Sequence, residues 1–156
     1  MMSSWDEFCV QRRGAIERFV NGDAGPYKQL WSHADDVTIF GGWGAYEQGW
    51  DAVSRRLDWA AGRFGEGHVD IGNLAAGSSG DLAYSIDIER NVALVDGAAR
   101  AETALRVTHI CRRAGGGGWR IVHRHADRLR PREDPNRVIC APADPFTATT
   151  PGPHAA

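Results

Sequence analysis

Residues 105–127, LRVTHICRRAGGGGWRIVHRHAD, limit what this chain can fold into more than any other stretch. Leu105, Val107, His109 and Cys111 alternate with Arg106, Thr108, Ile110 and Arg112, and Trp119, Ile121, His123 and His125 alternate with Arg120, Val122 and Arg124. Both runs have the period of a strand, whose successive side chains point to opposite faces. The glycines at 115–118 supply the reversal between them. They are not read as a phosphate cradle, because they lead into a strand and not into a helix. A register centred on the turn sets His109 opposite His123 and Thr108 opposite Arg124, so the hairpin carries a histidine face and an arginine/threonine face.

Upstream, the pattern changes from strand to helix. Ser4 and Glu7 make a capping box, and Trp5, Phe8, Cys9, Arg12, Ile16, Phe19 and Val20 recur at helical spacing until Asn21-Gly22. Asp23 caps a shorter helix with Pro26 in its first turn, carrying Tyr27, Leu30 and Trp31. DVTIF, residues 36–40, predicts a strand, and Val53, Leu57, Ala60, Ala61 and Phe64 stripe a third helix from about Trp50. HVDIGNLAAG and DLAYSIDIERNVALV then predict strands, with Asp96-Gly97 as a two-residue hairpin turn. Helices first and an antiparallel sheet afterwards predict an α+β fold, with the sheet curling over the helices. Beyond about Arg130 prolines accumulate, so residues 1–130 are read as the domain and 131–156 as a Pro-rich, mobile tail.

If Asp96-Gly97 is the whole loop, Val95 pairs with Ala98, Asp87 lies opposite Arg106, and Glu89 lies opposite Ala104. Ser85, Asp87, Glu89, Arg106, Thr108 and Arg124 then share one face. Tyr84, Ile86, Ile88, Leu105, Val107, His109, Trp119, Ile121, His123 and His125 share the other.

RVTHICRR, the glycine turn and WRIVHRHAD, preceded by LWSHADDVTIFGGWGAYEQGWDAV, resemble the SnoaL-like, ketosteroid-isomerase-like branch of the NTF2-like superfamily over roughly residues 4–130. The closing WRIVHRH is also similar to the association domain of the calmodulin-dependent protein kinases. The resemblance implies a cone of N-terminal helices packed on a curved antiparallel sheet. It implies a cavity lined by the strand face that carries Thr108, a homodimer through the apolar opposite face, and cavity-framing roles for Trp31, Trp43 and Tyr46. It does not imply steroid isomerisation. The positions of that family's general base, helix tyrosine and second acid fall near Gly41, Ala15 and Thr108, none of which can serve. An epoxide-hydrolase Asp-Arg-Asp set is matched only loosely by Asp87, Arg106 and Glu89.

Composition excludes other classes. A net charge of -2 offers no electrostatic footprint for nucleic acid or an anionic membrane, and no apolar run is long enough to span a bilayer. No export sequence is apparent at MMSSWDEF, so a cytoplasmic location is expected. Cys9, Cys111 and Cys140, without a CxxC pair, read as reduced structural thiols. No cofactor motif and no metal-ligand spacing is present, so neither group is expected.

The expected function is binding of a small organic molecule, with or without a proton-transfer reaction of isomerase, cyclase or dehydratase type. The alternative is a non-catalytic binding or assembly module. Glu89 or Asp87 is the candidate acid/base and Arg106 its orienting cation or oxyanion donor. Trp31, Trp43, Tyr46, Thr108 and Arg124 are the candidate ligand contacts. His109, His123 and His125 inherit the role if the other face lines the cavity.

Overall fold

A computed structural model describes residues 4–132. Apart from Pro131 and Arg132, the expected tail lies outside the described residues, as does Cys140.

Three helices precede the long strands. α1 (Ser4–Phe19) buries Phe8, Arg12 and Ile16 of the predicted stripe together with Ala15, so the stripe faces the core with its cation included. α2 (Gly25–Gln29) is a single turn opened by Pro26 and buries Tyr27. Between α2 and α3 lie β1 (Thr38–Phe40) and β2 (Tyr46–Gln48), the latter too short and too exposed to leave a sequence pattern. α3 (Trp50–Ala61) buries Val53, Leu57 and Ala61. Four long strands follow: β3 (Phe64–Ser79), β4 (Leu82–Val95), β5 (Arg100–Arg113) and β6 (Trp119–Arg128). None of the helices in the described residues is long and apolar enough to cross a membrane.

The strands form one six-stranded sheet in the order β2-β1-β6-β5-β4-β3, antiparallel except that β1 runs parallel to β6, with Ile39 beside Arg124. Helices on one side of a largely antiparallel sheet make the α+β architecture expected from the sequence. The core lies between them, where Val69, Ile71, Cys111, Trp119 and Ile121 meet Phe8, Ile16, Tyr27, Trp31 and Leu57.

Two one-residue irregularities set which side chains face that core. Asp96 and Gly97 both take positive φ, at 52° and 70°, and the Ala98 amide bonds the Val95 carbonyl, so the predicted turn is present. The next pair, however, is Leu94 with Arg100, one residue later on β5 than a two-residue loop allows. Asp87 therefore lies opposite Val107, and Arg106 lies opposite Ile88. The glycine-turn hairpin begins in the predicted register, with Cys111 opposite Ile121, but a bulge between Ile110 and Cys111 shifts the pairing so that His109 meets Arg124 and Ile110 meets His123. Because side chains alternate strictly, each shift exchanges the two faces of the strand beyond it. Val107, His109 and Cys111 consequently face the core with Ser85, Asp87 and Glu89, whereas Arg106, Thr108 and Ile110 face outward.

β3 crosses the end of α1 at Gly67, where an added Cβ would meet the Val20 backbone carbonyl far inside van der Waals contact. Backbone cannot rotate away as a side chain can. Gly67→Ala is expected to cost about 1–3 kcal/mol by overpacking, read as a lowered urea midpoint; an unchanged midpoint would show that β3 and α1 separate here at no cost.

Candidate functional site

The alternation of β4 places Ser85, Asp87, Glu89 and Asn91 in a row on the inner face, all buried. A row with two carboxylates cannot be buried ionised unless cations meet it. Arg12, from the apolar stripe of α1, meets the first: its Nη2 donates to Asp87 Oδ2 at 3.0 Å, with side chains 5% and 0% exposed. Arg12 Nη1 donates to Ser85 Oγ, and Ser85 Oγ donates to Asp87 Oδ2 at 2.9 Å. Asn73 Nδ2 donates to Asp87 Oδ1 at 2.8 Å. Burial alone would raise the Asp87 pKa, but its hydrogen bonds and the Arg12 guanidinium outweigh it and hold the carboxyl well below the usual range.

Arg124 meets the second carboxylate in a fork, Nη1 and Nη2 donating to Glu89 Oε1 and Oε2 at 3.0 and 2.9 Å. The Glu89 pKa is lowered too, the guanidinium overcoming desolvation. Between the two pairs lies His109, fully buried, with Nδ1 3.0 Å from Arg12 Nη1 and Nε2 2.7 Å from Tyr27 Oη. Burial and the Arg12 charge depress its pKa to about 3, so the ring is neutral. Desolvation pushes the Cys111 thiol up to about 12, which leaves it a packing group.

Above Glu89 and Arg124 opens a cavity of about 330 Å³. Its walls are chiefly apolar, with Ile16, Phe19, Ile39, Leu57, Phe64 and Leu105, and its floor holds Glu89, Arg124, Tyr27 and Asn91. Asn91 Oδ1 is buried without a hydrogen-bond partner among the described residues. Trp43 and the charged side chains of Glu102 and Arg128, all exposed, lie at the open side.

Of the residues expected from the sequence, Glu89, Trp43 and Arg124 line this cavity, and Asp87 lies beneath it in the network. Arg106 does not reach either carboxylate. It lies on the outer face, 62% exposed, in a forked pair with Asp127 at 2.9 and 2.5 Å, which corrects the register that set it opposite Asp87. Thr108 also points outward, opposite His125. Trp31 is core, 1% exposed, and Tyr46 is 69% exposed on β2; neither lines the cavity. The three histidines are split: His109 faces inward, while His123 bonds Thr38 Oγ1 at 2.7 Å and, with His125, packs against Phe40 on the outer side. Arg12 and Tyr27 were legible only as members of helix stripes. An arginine inside an apolar stripe was the one available signal, because a buried guanidinium demands a carboxylate.

Two outcomes are expected. Arg124→Met should destabilise the fold by about 3–5 kcal/mol by leaving Glu89 buried and unpaired, and adding Glu89→Leu should recover most of it in the same urea titration. For pH, the folded pKa values of His109, Asp87 and Glu89 all lie below their ordinary values, so the unfolded chain binds more protons as pH falls. Stability should be full above the ordinary histidine value of 6.5 and decline toward pH 3. Below about pH 6 the slope should approach about 1.4 kcal/mol per pH unit for one proton. A His109→Gln variant with an equally steep slope would show that the imidazole is not buried neutral.

The SnoaL-like domain model matches residues 13–127. Among solved structures, an NTF2-like superfamily protein from Salmonella enterica is 20% identical over 81% of this chain and 89% of its own, with a TM-score of 0.70. A Thiobacillus denitrificans protein named for the calcium/calmodulin-dependent protein kinase type II association domain is 22% identical over 79% and 93%, with a TM-score of 0.66. A ketosteroid isomerase-like protein from Erwinia carotovora atroseptica is 13% identical over 80% and 93%, with a TM-score of 0.68. No match was found among curated proteins. The chain therefore belongs to the SnoaL-like domain family, and it shares its fold with these NTF2-like and ketosteroid isomerase-like structures.

Proposed function

We propose that the cavity binds a small, predominantly apolar organic molecule with one polar end, in a cytoplasmic homodimer. The observation that carries this reading is the pairing of apolar walls with a floor whose Glu89 is already neutralised by the fork of Arg124, while Asp87, beneath the cavity, is paired with Arg12. Such a site repays transfer of apolar surface from water and keeps a few polar groups for orientation. The same neutralisation favours binding over proton transfer. A general base works best with a pKa near the operating pH, and both carboxylates are held below their ordinary values by cations.

The homodimer reading rests on the outer sheet face, where Phe40, Leu82, Tyr84, Ile86 and Ile110 are between 38% and 53% exposed. Val107 and Ile121, expected on that face from the sequence, belong to the inner core instead. Contiguous apolar side chains on a strand face support association with a second copy. Sedimentation of the unaltered chain should report a dimer and that of Ile86→Lys a monomer; a monomer at high micromolar concentration in the unaltered chain would remove this part of the reading.

Ligand binding is tested with the hydrocarbons indane and fluorene. Each should stabilise the chain by about 2.7 kcal/mol at 100 times its Kd. Ala60→Phe, which fills the cavity from α3, should abolish that stabilisation while the chain remains folded. Equal stabilisation of both proteins would place the hydrocarbons elsewhere.

A further inference from the structure

We infer that Tyr27 is the specificity-determining hydrogen-bond donor of the cavity, and that the ligand presents to it an uncharged, carbonyl-type oxygen. The inference rests on the cavity being a ligand site and adds what that ligand must carry.

The tautomer of His109 decides whether the Tyr27 hydroxyl donates or accepts. A guanidinium can only donate, so the 3.0 Å contact of Arg12 Nη1 requires a lone pair on His109 Nδ1. Asp87 Oδ2 is 3.9 Å from that nitrogen, too far to take a proton from it. A neutral imidazole with a bare Nδ1 carries its hydrogen on Nε2. The Nε2–H therefore donates to Tyr27 Oη across 2.7 Å, and the phenol is the acceptor of this bond. The hydrogen of the Tyr27 hydroxyl then remains undirected, with no further acceptor within hydrogen-bond distance among the described residues. A buried hydroxyl 2% exposed does not leave a donor idle without cost.

Tyr27 lines the cavity, and the charges that act on its phenol, Arg124 and Glu89, belong to residues of the same floor. Edge contacts with Phe19 at 5.7 Å and Trp31 at 6.2 Å fix its ring. Burial keeps the phenol protonated, so it donates and does not act as an anion. A ligand atom that answers it must be an acceptor. An anion is disfavoured because Glu89 lies in the same floor and Arg124 is already engaged in both of its forked bonds. An oxygen that only accepts, as in a ketone or ester, meets every condition. The site differs from the isomerase arrangement, whose helix tyrosine falls near Ala15 on α1, whereas Tyr27 stands on α2.

Fluorene and 9-fluorenone, which differ by one carbonyl, distinguish the possibilities. Tyr27→Phe is expected to weaken 9-fluorenone binding about fivefold, the change that corresponds to one neutral hydrogen bond, and to leave fluorene within about twofold. The carbonyl stretch of 9-fluorenone bound to the unaltered chain should move to lower frequency than in hydrocarbon solvent and return in Tyr27→Phe. Equal losses for the two probes, or an unshifted stretch, would overturn the inference while leaving the cavity reading intact. If Tyr27→Phe does not fold, the stretch in the unaltered chain decides alone. Failure of both probes to bind the unaltered chain would overturn the cavity reading and this inference with it.

Discussion

A guanidinium in the apolar stripe of α1 is the constraint from which the rest of the interior follows. Arginine cannot shed its charge, so packing α1 against the sheet requires a carboxylate at that depth and further acceptors around it. Asp87, Ser85 and His109 supply them from β4 and β5, Asn73 completes Asp87 from β3, and Tyr27 completes His109 from α2. One cation thus fixes how five elements sit relative to one another. It also determines the protonation pattern of the imidazole and, through it, the direction of the Tyr27 hydroxyl.

The second ion pair does different work from the first. Asp87 accepts from three neighbours and is sealed beneath the cavity, whereas Glu89 and Arg124 form part of the cavity floor. A forked pair presents two opposite charges side by side, so the floor is polar without being charged overall. Apolar walls above such a floor suit molecules that are mostly hydrocarbon and carry a dipole at one end.

The helices, the long strands and both hairpin turns could be read from hydrophobic period and turn residues, and the family from the closing hairpin. The register could not. The additional residue near Ala98–Ala99 and the bulge beside Cys111 lack any residue type that announces them, and the two shifts act in sequence. The first turned β5 over and sent Arg106 and Thr108 outward while bringing His109 in. The second turned β6 over again beyond the bulge, so Arg124 faces Glu89 as the uncorrected register had it, because two errors of one residue cancel. Trp31 and Tyr46 failed for another reason. Proximity of an aromatic residue to a strand end does not state whether it is buried in the core or left outside it.

The parallel pairing of β1 with β6 joins residues 38–40 to residues 123–125, and the partners of Arg12 lie 73 to 97 residues downstream of it. Contacts of this span close large loops and form late. On a ribosome, α1 would leave the exit tunnel with its cation solvated and nothing to bury it. The helical layer could not dock until β5 had been made, and the sheet could not close until β6 had followed. The order of synthesis therefore sets a waiting period in which the apolar faces of α1 and α3 are exposed, and folding is committed only once nearly the whole domain has emerged.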